Sequence, residues 1–284
     1  MVDPFRPDLL RSKTTLVTGG GTGLGRSIAL RFASLGANVA VLGRRPDPVA
    51  STVRAIRDRG GRAFGVTADV RDGSAVRSAF DAVEGELGPV NQLVNNAAGN
   101  FLAASEDLSA NAFDAVVRIV LHGTFHCTTE LGRRLIGRQQ KGEVVAITTT
   151  YAESGTAFAL PSACGKAGVL ALVRSLAVEW AAYGIRVNAV APGAFRSEAA
   201  SARLMPGTSE EQMTRRIPAG RPGHHWEIAN LVAYVMSDGS PYQTGDQVTI
   251  DGGRQLLSGQ TFAWLATLDR AEAKRLLSES KPRK

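Results

Sequence analysis

Ser162 and Lys166 stand four residues apart, so a helix through them places both side chains on one face. A lysine about one turn into a helix, facing the C-terminal ends of parallel strands, can bond the ribose of a nicotinamide. It also lowers the pKa of a neighbouring hydroxyl. The alternative is an ordinary lysine with its stem along the surface. A second chemical group lies near the N-terminus, where Thr18-Gly19-Gly20-Gly21-Thr22-Gly23-Leu24-Gly25 closes an apolar run and opens Arg26-Ser27-Ile28-Ala29. Gly19 permits a tight exit from a strand, Gly23 lets the backbone approach a pyrophosphate, and Gly25 lets a helix pack close to a sheet. The helix N-terminus then offers unpaired N–H groups and a positive dipole end to phosphates. A plain tight turn would also use such glycines; their place between a strand and a helix favours a dinucleotide site.

The end of the second strand selects the dinucleotide. A carboxylate there would hold the ribose hydroxyls of NAD, but the chain reads Val41-Leu42-Gly43-Arg44-Arg45. Arg44 beside Arg45 welcomes a 2′-phosphate, so NADP(H) is the expected cofactor. Two solvated surface arginines are the competing reading. Asp69-Val70, at the end of the third strand, is placed to flank the adenine, with Asp69 accepting from its amino group.

These groups need a scaffold, and the chain supplies a repeating one. Short runs rich in Val, Ile and Thr at 14–19, 39–43, 63–69, 92–96, 143–150, 185–191 and 247–251 read as strands covered on both faces. Segments of helical period, such as 25–35, 47–59, 74–87 and 162–183, lie between them. Such alternation predicts right-handed βαβ units in one α/β domain over 1–284: a Rossmann-type doubly wound parallel sheet of about seven strands with helices on both faces. The stretch 194–246 has no strand signal and several Pro and Gly residues, so it is expected to be a partly helical excursion covering the substrate. The tail 270–284, with six basic and two acidic residues, is expected to be frayed and solvated.

Beyond these motifs, the chain resembles the short-chain dehydrogenase/reductase family over nearly its whole length. The matching pieces are Thr18 to Gly25, Asn95-Asn96-Ala97-Ala98-Gly99, Lys166, Arg186-Val187-Asn188, Pro192-Gly193 and Asp251-Gly252-Gly253. The resemblance implies that Asn96, Pro192, Gly193 and Phe195 join Gly19, Thr22, Gly23, Leu24, Gly25, Arg44, Asp69, Val70 and Lys166 around the cofactor. Two positions depart from the family pattern. His122 stands where the family usually has asparagine, and Ser162 stands where it has tyrosine, four residues before the lysine. A serine has too high a pKa and too short a reach to deliver a proton to a developing alkoxide. The chain is therefore either impaired or runs chemistry that does not end in an alcohol.

One branch of the family carries this same serine, the mitochondrial-type 2,4-dienoyl-CoA reductases. The chain is similar to that branch at 95–101, 148–155, 161–168 and Ser258-Gly259. The resemblance implies NADPH-dependent reduction of a 2,4-dienoyl-CoA to a 3-enoyl-CoA. Hydride adds to the far end of the diene, and charge collects on the thioester oxygen, where preorganised donors must meet it. Tyr151 and Asn100 match the two donors of the branch, and Ser162 matches a member of the same hydrogen-bond network. Arg71, Phe101, Ser109 and Arg203 match its acyl-CoA contacts. The other readings are a reductase of another enoyl or carbonyl substrate, and a non-catalytic NADP-binding protein.

The remaining features are expected to be structural. His122 and His126 are four apart but lack a third ligand, so no metal is expected. Cys164 is expected to be a small buried thiol. Trp180 and Tyr183 are expected to pack between subunits of a homotetramer. Two cysteines form no disulfide framework, no run approaches the roughly 18 to 20 apolar residues of a membrane span, and residues 1–13 hold no apolar signal region. The expected location is the cytoplasm, with an organelle left open. Thirty-three Lys and Arg against 26 Asp and Glu give a net charge of +7. That excess fits polyphosphate cofactors and CoA, and no nucleic-acid reader motif accompanies it.

Overall fold

The β-branched runs form seven parallel strands: β1 (Thr14–Thr18), β2 (Asn38–Gly43), β3 (Ala63–Thr67), β4 (Gln92–Asn95), β5 (Gly142–Ile147), β6 (Ile185–Pro192) and β7 (Gln247–Ile250). The computed structural model describes residues 3–195, 214–257, 265 and 268–279. The strand order is β3-β2-β1-β4-β5-β6-β7, with Thr18 opposite Leu42 and Asn95 opposite Ala146. Strand order reverses between β1 and β4, and the carboxyl ends of strands at such a switch point open a crevice for ligands.

Helices cover both faces. α1 (Gly23–Ser34) and α2 (Pro46–Arg57) pack on one side, where Ile28, Phe32, Val53 and Ile56 share a core with Val17, Val41 and Val190. On the other side lie α3 (Gly73–Leu87), α4 (Ala110–Val117), α5 (Gly123–Gly137) and α6 (Leu160–Trp180). Phe80, Val120, Leu131, Leu135 and Val173 build that second core against Leu16, Leu93 and Val144. A π-helical turn, Arg118–His122, joins α4 to α5. No helix among the described residues is long and apolar enough to cross a membrane.

Within the partly helical stretch expected over 194–246 lies α7 (His225–Val235), whose Ile228, Ala229, Val232 and Ala233 belong to the α1 core; residues 196–213 lie outside the described residues. Three expectations need correction. The tail is helical where described: after α8 (Arg254–Leu257), α9 runs from Arg270 to Glu279 with Ala273 buried, and Asp269 accepts from the Ala271 N–H at 2.8 Å. Trp180 is buried within its own chain, its ring against Gly132 on α5, whereas Tyr183 is exposed. Cys164 is exposed; the buried thiol is Cys127, which burial pushes up to about 12.

Candidate active site

The glycine turn folds as the motif requires. Gly23 has a φ of +54°, a left-handed conformation that glycine tolerates, and a Cβ added there would meet nothing within 4 Å. That open space is the side from which a pyrophosphate can approach. Gly25 is the opposite case: an added Cβ would run into the Asn96 amide and the Gly19 carbonyl, which lies 2.5 Å away. Asn96 Nδ2 donates to the Thr18 and Gly19 carbonyls at 3.1 and 3.3 Å, so this side chain shapes the turn. Thr22 precedes α1 in an extended conformation with no side-chain bond to the helix N–H groups, and no acid occupies the first turn. The helix start is left open for an anion.

A cavity of about 620 Å³ lies along the ends of β1, β2 and β3. Gly21, Thr22, Arg44, Arg45, Asp69 and Val70 line it, and Asp69 is the one carboxylate among its described walls. Arg71 Nη2 donates to that carboxylate at 2.6 Å and Nε at 3.0 Å, which together with the Arg71 backbone N–H holds the Asp69 carboxyl below the usual range. The walls therefore present cations with their only acid already paired. An uncapped helix start, an open Gly23 and two arginines fit a dinucleotide carrying an extra phosphate.

Sequence reasoning missed other walls. Ala97 and Ala98 follow Asn96 and continue the cavity, and Leu42 and Ala68 add apolar surface from the ends of β2 and β3. Ile119 enters from the π-helical turn. Proximity in sequence to Asn96, Gly43 and Asp69 was the available signal for the first four; Ile119 had none. Pro192 and Gly193 end β6, where the Gly193 N–H donates to the Ile250 carbonyl at 2.9 Å. Phe195 lies half-buried with its ring against Gly223. Leu24 is half-buried in the first turn of α1.

A few residues beyond Asn96, the chain delivers a second constellation. Asn100 follows β4, and its Nδ2 donates to Tyr151 Oη at 3.5 Å. Tyr151 lies in a 3₁₀ turn, Thr150–Ala152, after β5, and its Oη stands 3.2 Å from Ser162 Oγ. Ser162 and Lys166 are both buried on α6, where Pro161 sits in the first turn. Lys166 Nζ donates to the Ile147 carbonyl at the end of β5, and burial lowers the amine to about 8. Three elements thus bring Asn100, Tyr151, Ser162 and Lys166 together, with side-chain bonds linking the first three. Such a group can hold an oxyanion at the Asn100 and Tyr151 donors while an ammonium stands in support.

The expected acyl-CoA contacts fall in different places. Phe101 is half-buried against the core under α4 and α5, and its N–H donates to Asn100 Oδ1 at 2.9 Å, which orients the amide. Ser109 caps α4, its Oγ accepting from the Ala112 N–H at 3.2 Å. Arg71 is the partner of Asp69, which lines the cavity. Arg203 and Ser258-Gly259 lie outside the described residues. His122 is exposed at the end of the π-helical turn, while His126 Nδ1 is 3.0 Å from the Val70 carbonyl beneath the cavity wall. Among the described residues no group of three or more His, Cys, Asp or Glu could hold a metal ion.

Comparison with known proteins agrees with this architecture. A family model described as enoyl-(acyl carrier protein) reductase matches residues 19–255. A Caenorhabditis elegans protein named a probable (3E)-enoyl-CoA-producing 2,4-dienoyl-CoA reductase is 44% identical, over 88% of this chain and 83% of that protein. A Bacillus subtilis protein named a probable (2E)-enoyl-CoA-producing 2,4-dienoyl-CoA reductase is 39% identical, over 87% of this chain and 98% of the relative. Among solved structures, a gluconate 5-dehydrogenase from Burkholderia cenocepacia, in complex with NADP and tartrate, superposes with a TM-score of 0.82 at 29% identity. That match covers 88% of this chain and 98% of the other.

Proposed function

The chain belongs to the short-chain dehydrogenase/reductase family of oxidoreductases, and we propose that it reduces a 2,4-dienoyl-CoA thioester to a 3-enoyl-CoA with NADPH. The observation that carries this reading is the bonding of Tyr151 Oη to both Asn100 and Ser162, with serine and not a phenol four residues before Lys166. The identity of relatives named 2,4-dienoyl-CoA reductases supports it. A nicotinamide cofactor bound in the cavity would supply hydride to the far end of the diene. The diene electrons then move toward the thioester, and the negative charge rests on its oxygen as a dienolate. Tyr151 Oη–H and Asn100 Nδ2–H donate to that oxygen, and Ser162 Oγ keeps the phenol aimed. Protonation at the α-carbon by a water-borne proton completes the 3-enoyl product, one hydride and one proton added in all. Lys166 holds the nicotinamide ribose, and its ammonium biases the site toward negative charge.

Arg44 and Arg45 favour a cofactor with a 2′-phosphate, which is why NADPH is preferred over NADH in this reading. The exposed apolar residues Phe125 on α5 and Val178 on α6, with Tyr183 just after α6, support assembly of copies of the chain, for which a homotetramer is the reading we adopt. The decisive experiment mixes protein, NADPH and 2,4-hexadienoyl-CoA and follows the nicotinamide and diene absorbances together. Loss of both bands is expected. Loss of neither, with enoyl and β-ketoacyl thioesters also inert, would leave only a non-catalytic cofactor binder. Loss of the nicotinamide band alone with a carbonyl substrate would make the protein a reductase of another kind. Product analysis separates a 3-enoyl from a 2-enoyl thioester.

A further inference from the structure

The segments that leave the two oxyanion donors run on together. After Asn100 the chain continues Phe101-Leu102-Ala103, and seven residues beyond Tyr151 it reaches Phe158-Ala159-Leu160. The Ala103 N–H donates to the Phe158 carbonyl at 2.9 Å, tying one segment to the other. Along this tie the side chains of Leu102, Phe158 and Leu160 are 43%, 62% and 40% exposed. Neither 97–105 nor 154–165 contains a charged residue, whereas Arg44 and Arg45 line the cofactor cavity and Arg71 pairs with its Asp69.

Phe158 is also held in an unfavourable backbone. Its φ is +63°, the left-handed region that bulky side chains seldom adopt, in a position where glycine would be at ease. The strained backbone thus presents an exposed aromatic ring whose place burial does not account for.

We propose that Leu102, Phe158 and Leu160 form the subsite for the apolar tail of the acyl chain, and that they make the enzyme favour longer dienoyl thioesters over short ones. This rests on the dienoyl-CoA reading above. A thioester oxygen held at Asn100 and Tyr151 puts the diene beside the start of these two uncharged segments. Carbons beyond the diene then lie along the tied segments, where each methylene removed from water adds to affinity.

The test compares 2,4-hexadienoyl-CoA with 2,4-decadienoyl-CoA, by calorimetric binding to the NADP⁺-loaded protein and by kcat/KM with NADPH. For the parent protein the longer chain is expected to bind at least tenfold tighter, roughly the discrimination that a few methylenes provide. Phe158→Gly is expected to reduce that preference about fivefold to tenfold, and Leu102→Ser to reduce it in the same direction. Because glycine adopts this φ readily, Phe158→Gly is expected to unfold no earlier than the parent, so a lost preference cannot be ascribed to misfolding. Tyr242→Ser, an exposed substitution away from these segments, serves as the control.

A preference within twofold of the parent in Phe158→Gly and Leu102→Ser overturns the subsite, even if dienes are reduced normally. A lowered preference in binding, without turnover of either diene, upholds the subsite and overturns the proposed reaction. Failure of either thioester to bind overturns both. An altered oligomeric state in Phe158→Gly with the preference intact would make these residues an interface between copies and also overturns the subsite.

Discussion

Tyr151 Oη lies 3.2 Å from Ser162 Oγ, so a phenol is present in this site although it is carried by the segment after β5 and not by α6. Proton delivery to an alkoxide needs a phenol paired directly with the lysine on one helical face. Here the serine takes that helical place, and the phenol approaches from the side, with Asn100 as its second neighbour. Two neutral donors that converge from separate strand ends suit a thioester oxygen gaining charge over the whole reaction, since they need give up no proton.

Tyr151→Phe and Asn100→Ala should each lower kcat by about a hundredfold to a thousandfold, the usual effect of deleting one oxyanion donor. In the proposed reaction both donate to the thioester oxygen, so NADPH affinity should change little. Fluorescence titration of NADPH beside steady-state kinetics checks this. Cofactor binding weakened as much as turnover would reassign the two residues to the cofactor.

Arg44→Asp should reverse the cofactor preference. It removes a cation from the cavity wall and installs the carboxylate that suits ribose hydroxyls, next to a carboxylate, Asp69, already paired with Arg71. A charge-assisted bond of this kind accounts for roughly a tenfold to hundredfold change in the NADPH-to-NADH ratio of kcat/KM. If that ratio is unmoved, the 2′-phosphate binds elsewhere.

The glycine turn and the strand ends were legible because only small residues tolerate Gly23's φ or Gly25's contact with Asn96, and that need leaves a mark in residue type. The π-helical turn was not legible. It inserts one residue into a continuous helical pattern, and the apolar spacing of 110–137 carries no sign of the shift that brings Ile119 to the cavity. α6 is apolar almost all round, so no polar stripe marked its outer face; hence Cys164 was read as buried and Trp180 as facing a neighbour. Pro218, Pro222 and Gly223 resemble a long loop, yet His224-His225-Trp226 ahead of Glu227 reads as a helix start, and the structure places α7 there with the Glu227 carboxylate accepting from the His224 N–H. In 270–279 the charges outweighed the helix-forming run Ala271-Glu272-Ala273-Lys274-Arg275 that the structure folds.

Arg134→Ala should destabilise the protein by about 2 to 4 kcal/mol, somewhat below the roughly 3 to 5 kcal/mol of a fully buried pair because its Asp81 partner is exposed. Arg134 on α5 reaches Glu84 at 2.7 Å and Asp81 at 2.6 Å on α3, and Glu130 at 2.8 Å on its own helix; its own side chain and those of Glu84 and Glu130 are almost covered. Burial raises the Glu84 carboxyl, but Arg138 and Arg134 overcome it and hold the group below its ordinary value. The carboxylate's contribution is thus present above the usual glutamate range and lost as pH falls through the lowered value. Urea denaturation at neutral pH should show the full loss, and the gap between parent and variant should narrow in acid. A gap that is constant across that range would trace the loss to packing on Phe80, over which the guanidinium lies at 5.4 Å.

Lys166 sets a pH dependence of opposite origin, because burial lowers its amine from 10.5 to about 8 and, among the described residues, its Nζ donates to the neutral Ile147 carbonyl and to no carboxylate. Below about pH 8 both folded and unfolded chains carry the proton, and the full desolvation penalty of the ammonium is borne by the fold. Between about 8 and 10.5 the unfolded chain binds a proton that the folded chain does not, so stability of the cofactor-free protein rises with pH. The rise from this one group is at most roughly 3 kcal/mol. Denaturation curves for parent and Lys166→Met across that window should diverge, the parent gaining relative to the variant; parallel curves would mean that the lysine titrates normally. With NADP(H) bound, ribose hydroxyls accepting from the ammonium favour its charged form, so the parent's gain should shrink and its midpoint move to higher pH. The same protonation governs activity: kcat/KM should fall as pH rises through about 8, and Lys166→Arg should carry that limb beyond the measurable range, because a guanidinium keeps its proton.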